Sequence, residues 1–124
     1  MYRFSFVLVL LFLVGCMADG GKVTVREVLK NNPTADIFQY NGFVYSNVTE
    51  LDWFNDKKEN YKKNSLVGEI KKKSTRVLGF KDLTATTLPV GTKIYTTSEN
   101  EDDVGILIVE YEGKDMYFMR LLEG

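Results

Sequence analysis

Histidine is absent from the 124-residue chain, and cysteine occurs once, as Cys16. These counts exclude a Ser-His-Asp triad, a Cys-His dyad, zinc sites built on imidazole or several thiolates, and any disulfide within the chain. Proline is scarce, with two residues, and glycine stops at ten, while aromatic residues make up 13% of the chain. A chain so poor in breakers and so well supplied with rings can pack a core, which excludes wholesale disorder. Its length is that of one domain and rules out a multidomain enzyme. An excess of charge of one sign is lacking too: 16 basic against 17 acidic residues leave a formal −1. A near-neutral body has no general attraction to nucleic acid.

What is present begins at the amino terminus. Arg3 precedes an apolar run from Phe4 to Val14 that only Ser5 interrupts, the build of an export signal. As a helix this run reaches roughly 17 Å, short of the roughly 30 Å hydrocarbon core that a spanning helix crosses. The run closes on Leu13-Val14-Gly15-Cys16. This resembles the lipobox of bacterial lipoproteins, in which a branched or aliphatic pair and a small residue precede the cysteine. The resemblance implies that residues 1–15 are a signal peptide cut between Gly15 and Cys16. It further implies that Cys16 carries diacylglyceryl, palmitate-type chains and that the protein sits on the extracytoplasmic face of the cell membrane. Two or more acyl chains make release slow, since each buried methylene contributes about 0.8 kcal/mol.

Residues 16–23 read as the lipidated cysteine and a short polar tether, and residues 24–124 as one globular domain. Thr24-Val25-Arg26-Glu27 matches a capping box that opens a helix to about Asn31, where Asn31-Asn32-Pro33 stops it. Asn41-Gly42 joins Asp36–Tyr40 to Phe43–Ser46 as a hairpin. Thr49 is expected to cap a second short helix carrying Leu51, Trp53 and Phe54 and ending near Asp56. Leu66–Ile70 is expected to run as a strand into Lys71-Lys72-Lys73, lysines that protect an edge. Leu88-Pro89-Val90-Gly91 reads as a turn with Pro89 at its first corner, leading to a strand through Thr96. Gly105–Tyr111 and Lys114–Leu121 pair across Glu112-Gly113, and their consecutive apolar residues place them centrally, covered on both faces. The expected class is α+β: a small twisted antiparallel β-sheet or partly closed barrel of about six strands, with two short helices. Leu88–Tyr95 and the closing hairpin also resemble small lipoproteins of Gram-positive bacteria.

Charge is laid out unevenly. Lys57 to Lys81 holds nine basic and two acidic residues, whereas Glu99 to Glu123 holds eight acidic and two basic. Lys57, Lys58, Lys62, Lys63, Lys71, Lys72, Lys73 and Arg76 form a candidate patch for an anionic partner, such as lipid headgroups or an anionic wall polymer; a solvated edge is the simpler expectation. Glu99-Asn100-Glu101-Asp102-Asp103 is acidic enough to suggest Ca²⁺ but lacks the alternating ligand pattern of a calcium loop, so neither metal nor cofactor is expected. Glu50 and Asp52 beside Trp53 suggest a carboxylate pair against a sugar-binding ring, although a spacing of two points them apart on a helix. The serines have neither a histidine nor a G-x-S-x-G or S-x-x-K setting. The sequence therefore suggests a membrane-anchored, non-enzymatic binding or accessory module of the cell envelope, engaging an envelope protein or an anionic wall polymer. A carboxylate-based glycan hydrolase and a structural stress or spore-envelope component are the alternatives.

Overall fold

The structure, a computed structural model, describes residues 22–97 and 105–122. Helix α1 (Val25–Asn31) begins where expected: the Thr24 hydroxyl accepts the Glu27 N–H at 3.2 Å. Strands β1 (Ile37–Tyr40) and β2 (Phe43–Asn47) follow, joined by Asn41 and Gly42 at φ 53° and 83°. This pair of left-handed residues matches the right-handed twist of the flanking strands. Helix α2 (Asp52–Asn55) and a 3-10 turn (Lys58–Asn60) lead to β3 (Leu66–Glu69) and the two-residue β4 (Lys72–Lys73). After β5 (Thr84–Ala85) and β6 (Lys93–Thr96), the chain closes on the long hairpin β7 (Ile106–Tyr111) and β8 (Lys114–Arg120).

The strands form one sheet in the order β3-β6-β7-β8-β2-β1-β5-β4, curled into a half-barrel, and the class is α+β. Among the described residues there are eight strands rather than about six. The additional two, β4 and β5, are two residues long, and they pair in parallel within an otherwise antiparallel sheet. Leu66–Ile70 does not continue into the lysines as one strand. Instead β3 and β4 occupy opposite ends of the strand order, and the chain breaks between them at Ile70 and Lys71. Ile70 is fully buried; its N–H donates to Thr92 O on the β3 side, while Lys71 N–H donates to Leu83 O on the β5 side, both at 2.8 Å.

Period-two alternation distributes side chains between the inside of the curl and its outer surface. Phe38, Tyr45, Ile94, Leu107, Val109 and Phe118 meet inside, with Ile70 and Leu88. Phe38 stacks on Tyr45 at 5.3 Å between centroids and tilts against Phe118 at 4.9 Å. Outside, Val25 and Leu29 of α1 cover Ile37 and Val44, and Phe54 of α2 covers Ile106 with Tyr61, Tyr117 and Met119. Each helix thus buries one outer patch, and the β7–β8 hairpin lies near the middle, with β7 apolar on both faces.

Two local expectations are corrected. Thr49 does not cap α2, whose N-cap is Leu51 without a side-chain bond. The Thr49 hydroxyl instead accepts Tyr117 N–H at 2.8 Å and lies 3.3 Å from Tyr117 O, tying the entry to α2 onto β8. A hydroxyl can satisfy both backbone groups of one residue, and burial of Thr49 favours that use. The turn before β6 is also shifted by one residue: Thr92 N–H donates to Pro89 O, so Pro89 precedes the corners, which are Val90 and Gly91, the latter at φ 95°.

The Ile70→Ala variant is expected to lose about 2–5 kcal/mol of stability, the cost of a cavity at a fully buried aliphatic position; denaturant unfolding measures it, and a loss under about 1 kcal/mol would contradict this view of the joint. The β7–β8 turn carries Glu112 at φ 52° beside Gly113 at 79°. Glutamate lacks the short amide that makes this region tolerable for Asn41. Glu112→Asn should raise stability by roughly 0.5–1 kcal/mol, seen as a higher thermal midpoint.

Candidate functional site

Gly15 and Cys16 lie outside the described residues, as does the acidic cluster 99–103. The basic stretch is not gathered into one cluster of free ammonium groups. Lys63 is clasped by Glu110 and, at 2.8 Å, by Asp115, and lies 5.2 Å from the centroid of the Tyr95 ring. The acidic hairpin thus neutralises this member of the patch. Lys57 lies 6.0 Å from the Trp53 ring centroid, Lys58 is in the 3-10 turn, and Lys62 is exposed beyond it. Lys71 pairs with Glu69 at 2.9 Å. Lys72, Lys73 and Arg76 are exposed on β4 and the loop after it. Glu50 and Asp52 are exposed at the approach to α2, beside a Trp53 that is 49% exposed.

The lysine clasp has an electrostatic signature. The Lys63 ammonium, hydrogen-bonded to Glu110, holds that carboxyl below the ordinary glutamate value, and Lys71 does the same to Glu69. The hydrogen bonds that Lys63 donates to Asp115 and then to Glu110 raise it above the ordinary lysine value. In the core, burial raises the Tyr45 phenol, partly offset by the nearby Arg120 guanidinium.

The concavities of the described surface include two of substantial volume. One, about 300 Å³, is lined by Leu66, Val67, Glu69, Lys71, Leu83 and Lys93 along β3. The other, about 260 Å³, lies where the start of α1 meets the β1–β2 turn and the loop from Ser74 to Leu83. Lys22, Arg26, Gly42, Val77 and Phe80 contribute to its wall. Lys22 is fixed to the body by a β-bridge to Leu122. Its ammonium lies 5.0 Å from the centroid of Phe43, and the Arg120 guanidinium lies 4.8 Å from the same ring. Two cations therefore converge on one aromatic ring, and one of them, Lys22, also lines the cleft. Arg120 Nε is buried with no hydrogen-bond partner among the described residues. Such an arrangement suits an anionic group better than a cationic or apolar one.

Reading the sequence for charge alone missed Lys22, Arg26 and Arg120, because strand pairing and α1 bring them to this end from distant parts of the chain. The usable signal was Arg76-Val77-Leu78-Gly79-Phe80-Lys81, an apolar segment bracketed by cations. Among the described residues no group of three or more acidic or thiol side chains is placed to hold a metal, and no helix is long and apolar enough to cross a membrane. Comparison with protein-family models, curated proteins and solved structures gives no match.

Stabilisation from the Lys63 clasp should be complete above the ordinary glutamate range and lost as pH falls through the lowered Glu110 value, because the unfolded chain then binds the proton more readily. Glu110→Gln should accordingly flatten the acid limb of a stability-versus-pH curve, with a small effect at neutral pH, since the pair is solvent-screened. An acid limb as steep as that of the parent chain would refute this role.

Proposed function

We propose that the chain is a lipid-anchored, non-enzymatic binding or accessory module held at the extracytoplasmic face of a bacterial membrane. The observation that carries this reading is the sequence Leu13-Val14-Gly15-Cys16 closing a short apolar run behind Arg3. The position of Lys22 supports it. Cleavage before Cys16 leaves five residues between the lipidated cysteine and the bridge at Lys22, six chain steps that at full extension reach about 20 Å. The body is then confined to within about its own diameter of the bilayer. Basic side chains at the Lys22 end and along β4 face an environment rich in phosphate, which suits an anionic partner.

The test is incorporation of a tagged fatty acid during growth of cells producing the full chain. The parent should be labelled, and Cys16→Ser should lose the label completely while the chain is still made. Labelling of the Cys16→Ser chain, or an unlabelled parent, would remove the anchor from this account.

A further inference from the structure

We propose that the loop from Ser74 to Leu83, with the start of α1 beside it, is the surface by which the body lies against an anionic phospholipid bilayer, and that Leu78 enters the headgroup layer. The inference rests on the anchored reading above and extends it from attachment to orientation.

Leu78 is 92% exposed, more than any other large apolar residue described, and a built loop presents it. Ser74 N–H donates to Ala85 O at 2.9 Å, Arg76 N–H to Ser74 Oγ at 3.1 Å, and Phe80 N–H to Val77 O at 3.1 Å. Gly79, at φ 82°, supplies the left-handed residue that this last turn needs. Phe80 packs against the cluster of Val25, Leu29 and Ile37, which fixes the loop to the body while Leu78 points away from it. A leucine held out in this way by its neighbours' bonds leaves its apolar area in water unless something covers it.

Charge indicates what covers it. Arg76 and Lys81 flank the apolar segment, and the Lys72 ammonium stands 3.6 Å from where a side chain on Gly79 would begin. Lys22 and Arg26 line the cleft that Val77 and Phe80 share. Asp82, the acidic residue of the loop, is engaged with the Gly42 N–H and the Gln39 amide, each at 3.0 Å. An apolar tip ringed by cations is the arrangement that enters an anionic interface: the ammonium and guanidinium groups stay with the phosphates while the tip goes deeper. Position favours the bilayer over a wall polymer or a protein, since Lys22 on this face is six residues from Cys16. The far end of the molecule offers no such excess of cations, because Lys63 there is paired with Glu110 and Asp115. Strand β8 runs from Lys114 to Arg120 away from the β7–β8 turn, so Glu110, Glu112 and Asp115 lie at the end remote from Lys22 and Leu122.

The experiment places a nitroxide on Leu78→Cys, and in a separate preparation on Lys114→Cys at the remote hairpin, using the lipidated chain in vesicles. Collision with oxygen, which favours lipid, is compared with collision with a water-soluble nickel chelate. With phosphatidylglycerol in the vesicles, the label at 78 should lose access to the chelate and gain access to oxygen, while the label at 114 stays in water. Phosphatidylcholine alone, or the charge reversals Lys72→Glu, Arg76→Glu and Lys81→Glu together, should return the label at 78 to water. Equal chelate access at 78 and 114 in phosphatidylglycerol vesicles would overturn the proposal, as would shielding of the label at 78 by free poly(glycerol phosphate) but not by vesicles. The intact mass of each preparation reports the diacylglyceryl group on Cys16 independently, so failure of the anchor and failure of the docking surface are distinguished.

Discussion

The half-barrel depends on a joint between the two ends of its sheet. Ile70 and Lys71 carry the chain from β3 at one end of the strand order to β4 at the other, and Leu83 receives it. Leu83 N–H donates to Gln39 O at 2.7 Å, while its carbonyl accepts from Lys71 at 2.8 Å and Lys72 at 3.3 Å. Leu83 holds this position at φ 67°, a left-handed conformation that costs a branched-chain residue on the order of 1–2 kcal/mol. The three backbone bonds and the fully buried Ile70 beside them offset that cost. Thr86 adds a second fastening: its hydroxyl accepts Ile37 N–H at 3.0 Å and donates to Ala35 O at 2.7 Å. Without these contacts β4 and β5, two residues each, have too little pairing of their own to persist.

The joint also determines what the surface offers. Because β4 and β5 run parallel, the chain between them makes a return excursion, and that excursion is the loop bearing Leu78. Its course brings Val77 and Phe80 to α1 and Asp82 to the β1–β2 turn, so the cations of residues 72–81 come to lie beside Lys22 and Arg26. Lys63 is drawn to the other end of β8 and spent on the acidic hairpin. One basic stretch in the sequence is thereby divided into a neutralised part and an available part, and the molecule acquires a basic end near the point where the proposed tether meets it.

Features governed by neighbours in the chain were legible. Thr24 opening α1, Asn41-Gly42 and Glu112-Gly113 turning the hairpins, and the apolar run of β7 marking a central strand each depend on a few consecutive residues, and the structure agrees. Features set by distant contacts were not. The hydroxyl of Thr49 has a local use as a helix cap and a distant use on Tyr117, and burial against β8 selects the second. Nothing in Leu66–Lys73 marks the break at Ile70, since its buried surroundings come from Thr92 and Leu83, far along the chain. The candidate surface was half visible, as a count of lysines without their arrangement, and Arg120 was hidden within a strand that reads as core.

On the proposed reading, lipidation of Cys16 and a basic, leucine-tipped face together hold one end of this body against the membrane. Neutron reflectometry of the lipidated protein on a supported bilayer containing phosphatidylglycerol tests it most directly. The account predicts protein density beginning within the headgroup layer and extending outward about one domain diameter, with no water-filled gap. A hydrated gap of tether length between headgroups and protein, or protein density absent after rinsing, would contradict it.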